Sequence, residues 1–520
     1  MARTIPTCSA ALLLISAAAP AFAQNGIRAY LTARAAEAEG RGDAALAAYA
    51  RALDASPGDV VVAIRAYREA LAGGDAALAR RAAAVLAGAG VAPVDAALLP
   101  LADAAHAGDA EAATRALAAL QSDRLRLLVP VLRGWIAHAR GDDGVAAMET
   151  EKPDAAARRL VAEHRALLLI AAGREEGVAA VEAFGAEAAG SPLRRAAAAL
   201  LAGAGRGERA AKLLGRHAGT VEPARPTLGF GVSRLLLRLA EELGEDGTSD
   251  LGLALARAAL DADPAYHRAR LVLAGQLAQR DDVDRALAAL AAVPADASLG
   301  PEAASARIEL LARAERDADA LAAARAVAEA TDAHTVDRAR YADLLVEAGR
   351  PAEAVPILAR VVKDERLAQA WPAWLRYGGA LEAAGRWSDA RRALRRAVEL
   401  GPDEPGPLNS LGYLKVDRGE DVAEATLMLE RAHKLDPENP AITDSLGWAY
   451  HRAGDTARAL PLLEEAASKA PADTEINEHL GDAYWTLGRR FEARYAWRAA
   501  TLAAAPEAAA RLSAKQDRGL

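Results

Sequence analysis

The 520-residue sequence has little of several residue types, and each shortage excludes a class of protein. It contains one cysteine, Cys8, so it offers neither a disulfide nor a thiolate metal site. Aromatic residues make up 4% of the chain and valine and isoleucine are scarce, which disfavours a large β-sheet. Acidic residues outnumber Lys and Arg by 71 to 63, so the chain lacks the basic excess of nucleic-acid-binding proteins. No stretch after residue 23 is apolar for the roughly 18 residues that a membrane span needs.

The N-terminus has the pattern of an export signal. Arg3 supplies a positive charge, Ala10 to Ala19 form a short apolar run, and Ala21-Phe22-Ala23 resembles a cleavage site. The sequence therefore predicts a signal peptide over residues 1–23, a mature chain that starts at Gln24, and a periplasmic location. Because Cys8 lies inside the signal, the mature chain would contain no cysteine.

The remaining sequence is rich in the strong helix formers Ala, Leu, Arg and Glu, and it repeats with a period of about 34 residues. The clearest repeats lie near the C-terminus, where the same residue type recurs at four kinds of position. These are a first-helix glycine (Gly378, Gly412, Gly447, Gly481), a turn glycine (Gly385, Gly419, Gly454, Gly488) and two second-helix alanines (Ala390, Ala425, Ala459, Ala493 and Ala397, Ala432, Ala466, Ala500). Small residues allow two helices to approach closely, and a glycine ends a helix by taking a left-handed conformation. Each period is therefore predicted to be an antiparallel helix hairpin.

The same period continues towards the N-terminus. The predicted turns there are Gly42, Gly74, Gly108, Gly141, Gly173, Gly207, Gly247, Asp281, Glu315 and Gly349. Together the periods predict an all-α protein, a right-handed α-solenoid of about 14 antiparallel helix hairpins. The predicted divisions are a signal peptide (1–23), degenerate Ala-rich hairpins (24–218), a Pro/Gly loop or joint (219–232), intermediate repeats (233–366), consensus-like repeats (367–506) and a C-terminal cap or tail (507–520).

No motif in the sequence indicates catalysis. Zinc-binding H-E-x-x-H and Cys/His patterns are absent, and the glycines of Gly203 to Gly207 follow a helix and not the strand that a phosphate-binding loop requires. We therefore predict no catalytic residue, no metal and no cofactor. An enzyme with an unrecognised site, acting on a glycan for example, remains the alternative.

Two C-terminal segments resemble tetratricopeptide repeats: LNSLGYLKVDRG (Leu408 to Gly419) and ITDSLGWAYHRAGDTARALPLLEEA (Ile442 to Ala466). In that family one face of each first helix lines the inside of a superhelix. The resemblance implies a partner-binding groove lined by Asn409, Tyr413, Asp417, Asp444, Trp448, His451, Glu478, Asp482 and Trp485. Aromatic residues there would anchor a partner and carboxylates would attract a cationic segment. The alternative is that these acids form only a solvated face.

The order of the C-terminal segments, together with Ala29 to Pro57 near the start, resembles long tetratricopeptide proteins of the bacterial envelope. These include the lipoprotein adaptor of a periplasmic carboxyl-terminal processing protease, which presents cell-wall hydrolases to the protease. The resemblance implies a non-enzymatic scaffold with protein partners, no nucleic acid and only indirect membrane association. A structural component of polysaccharide export or outer-membrane assembly machinery is the alternative, and the sequence leaves the oligomeric state open.

Overall fold

The structure, a computed structural model, describes residues 21–120, 124–149, 157–184, 191–215, 221–244 and 250–520. Across these ranges the regular elements are α-helices and two short 3₁₀ helices, without a strand, which confirms the all-α prediction. Among the described helices, none combines the length and apolar character that crossing a membrane requires. The predicted signal peptide lies outside the described residues except for its last three positions.

The chain divides into two compact units, residues 1–315 and 316–520. The helices of the first unit are α1 (Ala21–Ala38), α2 (Gly42–Ala55), α3 (Val60–Gly73), α4 (Ala76–Gly88), α5 (Leu98–Ala107), α6 (Ala110–Leu120), α7 (Val129–Arg140), α8 (Gly144–Met148), α9 (Ala157–Ala171), α10 (Glu176–Ala183), α11 (Pro192–Gly203), α12 (Gly207–Leu214), α13 (Leu228–Gly244), α14 (Asp250–Ala262), α15 (His267–Ala278), α16 (Val283–Ala291) and α17 (Gly300–Arg313). The 3₁₀ helices are Val94–Ala97 and Arg124–Leu128.

The helices of the second unit are α18 (Asp317–Ala328), α19 (Thr335–Glu347), α20 (Pro351–Val361), α21 (Trp371–Ala383), α22 (Trp387–Leu400), α23 (Pro405–Asp417), α24 (Val422–Leu435), α25 (Pro440–Arg452), α26 (Thr456–Lys469), α27 (Thr474–Thr486), α28 (Arg490–Ala503) and α29 (Pro506–Arg518). Consecutive helices pair as hairpins, from α1 with α2 to α15 with α16 and from α19 with α20 to α27 with α28. The helix-hairpin repeat is therefore present in both units.

Most of the turns lie where the period predicts them. Asp281 and Glu315 take the left-handed conformation that the turn glycines take elsewhere, with φ of 60° and 55°. Two predicted turn glycines are wrong by two residues, because Gly42 and Gly207 begin the second helices of their hairpins. The left-handed residues there are Gly40 and Gly205, with φ of 67° and 76°. The predicted turn at Gly247 lies outside the described residues.

The first-helix glycines work as the sequence predicts. A Cβ atom added to Gly447 would lie 2.8 Å from a methyl carbon of Leu463 on the second helix. The facing second-helix positions, among them Ala459 and Ala466, are fully buried. The two helices of a hairpin are thus held close by small residues, and larger apolar side chains fill the layer between neighbouring hairpins.

The first unit departs from a simple array in which each hairpin contacts only its neighbours. Helices α13 and α14 pack against α5, and α14 also packs against α3. The guanidinium of Arg257 on α14 donates to the carbonyl oxygens of Leu71 and Ala72 at 2.9 and 2.8 Å. These carbonyls lie in the last turn of α3, where a helix leaves them without an internal partner. The first unit therefore closes onto itself.

The expected loop at 219–232 is shorter in the structure. Residues 219 and 220 lie outside the described residues, residues 221–227 form an extended strap, and α13 begins at Leu228. Phe230 and Val232 are buried in the core of the first unit. The second half of this segment is helical, and its glycines allow the helix to pack closely: a Cβ on Gly231 would overlap the ring of Trp135.

Candidate functional site

The first helices of the second unit form the inner layer of the array. Helix α23 contacts α25, and α25 contacts α27, whereas each second helix lies beside its own first helix and the next one. Side chains two hairpins apart even meet, since the hydroxyl of Tyr413 on α23 donates to the Glu475 carboxylate on α27. The array therefore bends towards its first helices, and their exposed face is concave. This concave face of α21, α23, α25 and α27 is called the inner wall.

A stack of rings lies at the middle of the inner wall. The Trp448 ring on α25 stacks on the His479 ring of α27, with centroids 4.0 Å apart and planes within 11°. On its own helix Trp448 also stacks on His451, at 5.1 Å and 23°. Nδ1 of His479 and Oδ2 of Asp444 lie 2.8 Å apart in a buried hydrogen bond. Two neighbouring first helices are thus joined by one aromatic and one polar contact.

The two histidines of this stack are shifted in opposite directions. Burial lowers the pKa of His479, but the charge and hydrogen bond of Asp444, together with the charges of Glu475 and Asp482, outweigh burial, so the pKa is raised overall. Burial lowers the pKa of His451, with nearby Asp482 opposing that shift. A cationic His479 is therefore stabilised against the Trp448 ring, while His451 is favoured in its neutral form.

Carboxylates gather around Tyr413 on the same wall. Burial raises the pKa of Tyr413, and the charges of Glu475 and Asp417 raise it further. Burial, together with the charges of Glu475 and Asp417, raises the pKa of Glu382 on α21 to about 7. These shifts show that acids from α21, α23 and α27 lie within electrostatic reach of one another. The inner wall therefore carries a concentrated negative potential.

The terminal helix α29 covers the end of the inner wall. Its Lys515 ammonium lies 2.6 Å from the Glu478 carboxylate and 2.7 Å from the Asp482 carboxylate, and its Arg511 also donates to Glu478. The chain end reaches Trp485, where a Cβ on Gly519 would overlap the indole. Leu512 is fully buried against α28 and anchors the helix. Glu478 and Asp482 of α27 are thus already paired with cations of the same chain.

The structure accordingly separates the nine predicted groove residues into groups. Five lie together on the open part of the inner wall, and three are covered by α29. The residues that α29 leaves uncovered are Tyr413, Asp417, Asp444, Trp448 and His451, of which Asp444 and Trp448 are buried within the wall, and the covered residues are Glu478, Asp482 and Trp485. Asn409 lies one turn before Tyr413 on α23 and is half-buried. Their role in binding a partner stays a prediction.

Sequence reasoning missed three members of the inner wall: Glu382, Glu475 and His479. Glu382 follows its repeat glycine, Gly378, by four residues, as His451 follows Gly447, so the repeat register could have found it. No repeat position marks Glu475 and His479 in the sequence. They lie on the wall because the array curves and brings α27 close to α23.

Three polar atoms of the inner wall are buried without a partner, one each on Asp444, Trp448 and Asn409. Asp444 is 4% exposed and Trp448 is 8% exposed. Within the described part of the chain, nothing hydrogen-bonds to Oδ1 of Asp444 or to Nε1 of Trp448. A buried polar group without a partner is costly, and such groups are often completed by a ligand. No cluster of three or more His, Asp or Glu suited to a metal ion occurs within the described ranges.

The contacts between its helices define the second unit as a helical repeat array with a concave face. The sequence profile of the tetratricopeptide repeat family matches residues 341–405, 411–474 and 445–509, so this part of the chain is similar to tetratricopeptide repeats. The match confirms the family resemblance seen in the C-terminal segments.

The chain is also similar to parts of individual proteins. A TPR repeat-containing protein of Pseudomonas aeruginosa is 32% identical over 89 residues, which is 17% of this chain and 15% of that protein. A tetratricopeptide repeat protein from Parabacteroides merdae matches 48% of this chain and 97% of its own at 13% identity and a TM-score of 0.42. A TPR protein of Thermus thermophilus matches 35% of this chain and 98% of its own at 20% identity and a TM-score of 0.32.

Proposed function

We propose that the protein is an exported, non-enzymatic scaffold that binds segments of protein partners on the inner wall of residues 367–506. The observation that carries this proposal is the buried, unpartnered pair of polar atoms on Asp444 and Trp448, at the centre of a concave aromatic and acidic face. A partner that approached this face would find aromatic anchors, hydrogen-bonding atoms and negative charge together.

The contacts of the terminal helix α29 indicate that a partner of the wall would be cationic. Arg511 and Lys515 pair with Glu478 and Asp482 of α27. The open part of the wall presents Asp417, and its acids have no comparable cationic helix over them among the described residues. A segment with Lys or Arg at helical spacing would therefore suit the open wall in the way that α29 suits its end.

The partners that we propose are a periplasmic carboxyl-terminal processing protease and its cell-wall hydrolase substrates. This finer proposal rests on the resemblance of the C-terminal segments to envelope adaptors and on the predicted signal peptide of residues 1–23. An adaptor of this kind needs an extended surface and no chemistry of its own, which suits a repeat array.

The proposal is tested by affinity capture from envelope extract with the full chain, followed by mass spectrometry. The variant Asp417→Lys reverses an exposed charge on the wall, and Asp332→Lys makes the same change at an exposed position in the turn between α18 and α19. We expect the protease and a hydrolase with the wild type and with Asp332→Lys, and their loss with Asp417→Lys. Equal capture by both variants would remove the inner wall as the site. Capture of an export or assembly component without protease would replace the adaptor role by the alternative role.

A further inference from the structure

A cavity of about 310 Å³ lies within the first unit, apart from the inner wall. Its walls come from α11, the strap of residues 221–227, the first turns of α13, residues 263–268 and residues 298–299. Apolar side chains line most of it: Ala196, Ala199, Leu214, Val221, Phe230 and Leu299. Enclosed pockets with apolar walls and a few polar groups are the usual form of small-molecule sites.

The strap that closes this cavity is fastened at two points. The amide of Ala224 donates to the carbonyl of Ala199 on α11 at 2.9 Å. The amide of Ser298 donates to the carboxylate of Glu222 at 3.0 Å. Gly203 allows the close approach to α11, since a Cβ there would lie 2.0 Å from the carbonyl oxygen of Ala224. The cavity is therefore a built feature of the fold.

One arginine of the cavity is held by an ion pair and two rings. The Arg234 guanidinium lies between the rings of Phe230 and Tyr266, 3.9 and 3.8 Å from their centroids, and it pairs with Asp263. Asp263 is thereby neutralised. Arg268 also lines the cavity and is paired with a carboxylate on α13 at 2.8 Å. In both ion pairs the charge of the arginine is balanced by a carboxylate of the protein.

Two other arginines of the cavity have no such neutralisation. Arg195 lies on α11 and Arg225 on the strap, and both are exposed. Within the described residues neither makes an ion pair. Nδ1 of His267, at the start of α15, is also buried without a hydrogen-bond partner there. The cavity therefore combines an apolar interior with two arginines that form no ion pair among the described residues, while its Glu222 carboxylate accepts from the Ser298 amide.

We propose that this cavity binds a small organic anion with an apolar body, of the class of a medium-chain carboxylate. The carboxylate would lie between Arg195 and Arg225, because guanidinium groups bind carboxylates through paired hydrogen bonds. The apolar body would lie against Leu214, Val221 and Leu299. This site uses another unit and another chemistry than the inner wall, so it does not depend on the proposed scaffold function.

The test is a calorimetric titration of the full chain with octanoate, with octan-1-ol and octyltrimethylammonium as the neutral and cationic counterparts. We expect saturable binding of one octanoate per chain and much weaker binding of the other two. Arg195→Gln and Arg225→Gln should each weaken octanoate binding about tenfold, the cost of one charged hydrogen bond. The matched control is Arg51→Gln, which removes an exposed arginine from α2.

A steric variant tests the location without changing the charge. Ala199→Phe places a ring inside the cavity and should abolish binding while circular dichroism stays unchanged. Absence of octanoate binding to the wild type would overturn the proposal. It would also be overturned by octan-1-ol binding as tightly as octanoate, or by equal affinities of the Arg225→Gln and Arg51→Gln proteins.

Discussion

His164 gives the first unit a dependence of stability on pH that can be worked out from its surroundings. It lies on α9, is 3% exposed, and accepts a hydrogen bond at Nδ1 from the indole of Trp135 at 2.9 Å. Burial, helped by the positive charge of Arg234, lowers the pKa of His164 to about 3. The folded protein therefore keeps this histidine neutral across the whole physiological range.

The sign and size of the effect follow from linkage. In the unfolded chain the same histidine has its ordinary pKa of 6.5. Between that pH and the folded pKa, the unfolded state therefore binds a proton and the folded state does not. The contribution to stability is complete above that pH and is lost progressively as the pH falls towards the folded pKa. At a pH 1.5 units below the unfolded pKa, the loss is ~2 kcal/mol.

The assay compares the wild type with His164→Gln, which has no titrating group but retains an acceptor for the Trp135 indole. Amide hydrogen exchange of peptides from α7 and α9 measures the local free energy of opening near neutral pH and near pH 5. We expect the stability that the wild type loses on acidification to exceed the loss in His164→Gln by ~2 kcal/mol. His106→Gln, at an exposed position on α5, should behave as the wild type. The same pH dependence in the wild type and His164→Gln would refute the reasoning.

Three further predictions concern the second unit. Gly447→Ala should destabilise the second unit by about 1–3 kcal/mol because the added Cβ would press on Leu463. Gly379→Ala, which has open space around it, should be neutral or slightly stabilising. Urea unfolding of both variants measures the two changes in stability. Leu512→Ala should cost about 2–5 kcal/mol of local stability and remove the exchange protection of α29, and unchanged protection there would contradict the anchoring role. Because the pKa of His479 is raised, its contribution to stability is present below the ordinary pKa and lost as the pH rises through the raised value, which is the opposite sign to the first unit. Exchange of α25 and α27 in wild type and His479→Gln should show this difference, and a pH-independent difference would contradict it.

The hairpins could be predicted from sequence because they depend on local rules. A turn needs a left-handed residue, and the period located even Asp281 and Glu315, where no glycine marks the turn. The closure of the first unit could not be predicted in this way. It depends on Arg257 reaching carbonyl oxygens on α3 more than 180 residues earlier in the chain, and no local pattern encodes that distance.

The inner wall was predictable in part for the same reason. Tyr413, Asp417 and Trp448 follow from the register of the repeat, since each occupies the same face of its first helix. The covering of Glu478 and Asp482 by α29 did not follow from the register. In sequence the final residues resemble a polar tail. In the structure they form a helix on which Arg511 and Lys515 bind the acids of the wall and Leu512 packs against α28.

The closure of the first unit has a consequence for how the chain can be built and altered. In an array of nearest-neighbour contacts, a hairpin can be deleted or duplicated and the ends can fray one repeat at a time. In the first unit, α14 must find α3 and α5 after the intervening hairpins have formed, so the loop between them has to be closed before those contacts stabilise it. Removal of one interior hairpin would displace α14 by a whole repeat relative to α3 and α5 and would break their contacts. The first unit should therefore fold more slowly and tolerate changes in repeat number less than the second, whose helices pack mainly against those of the same and adjacent hairpins.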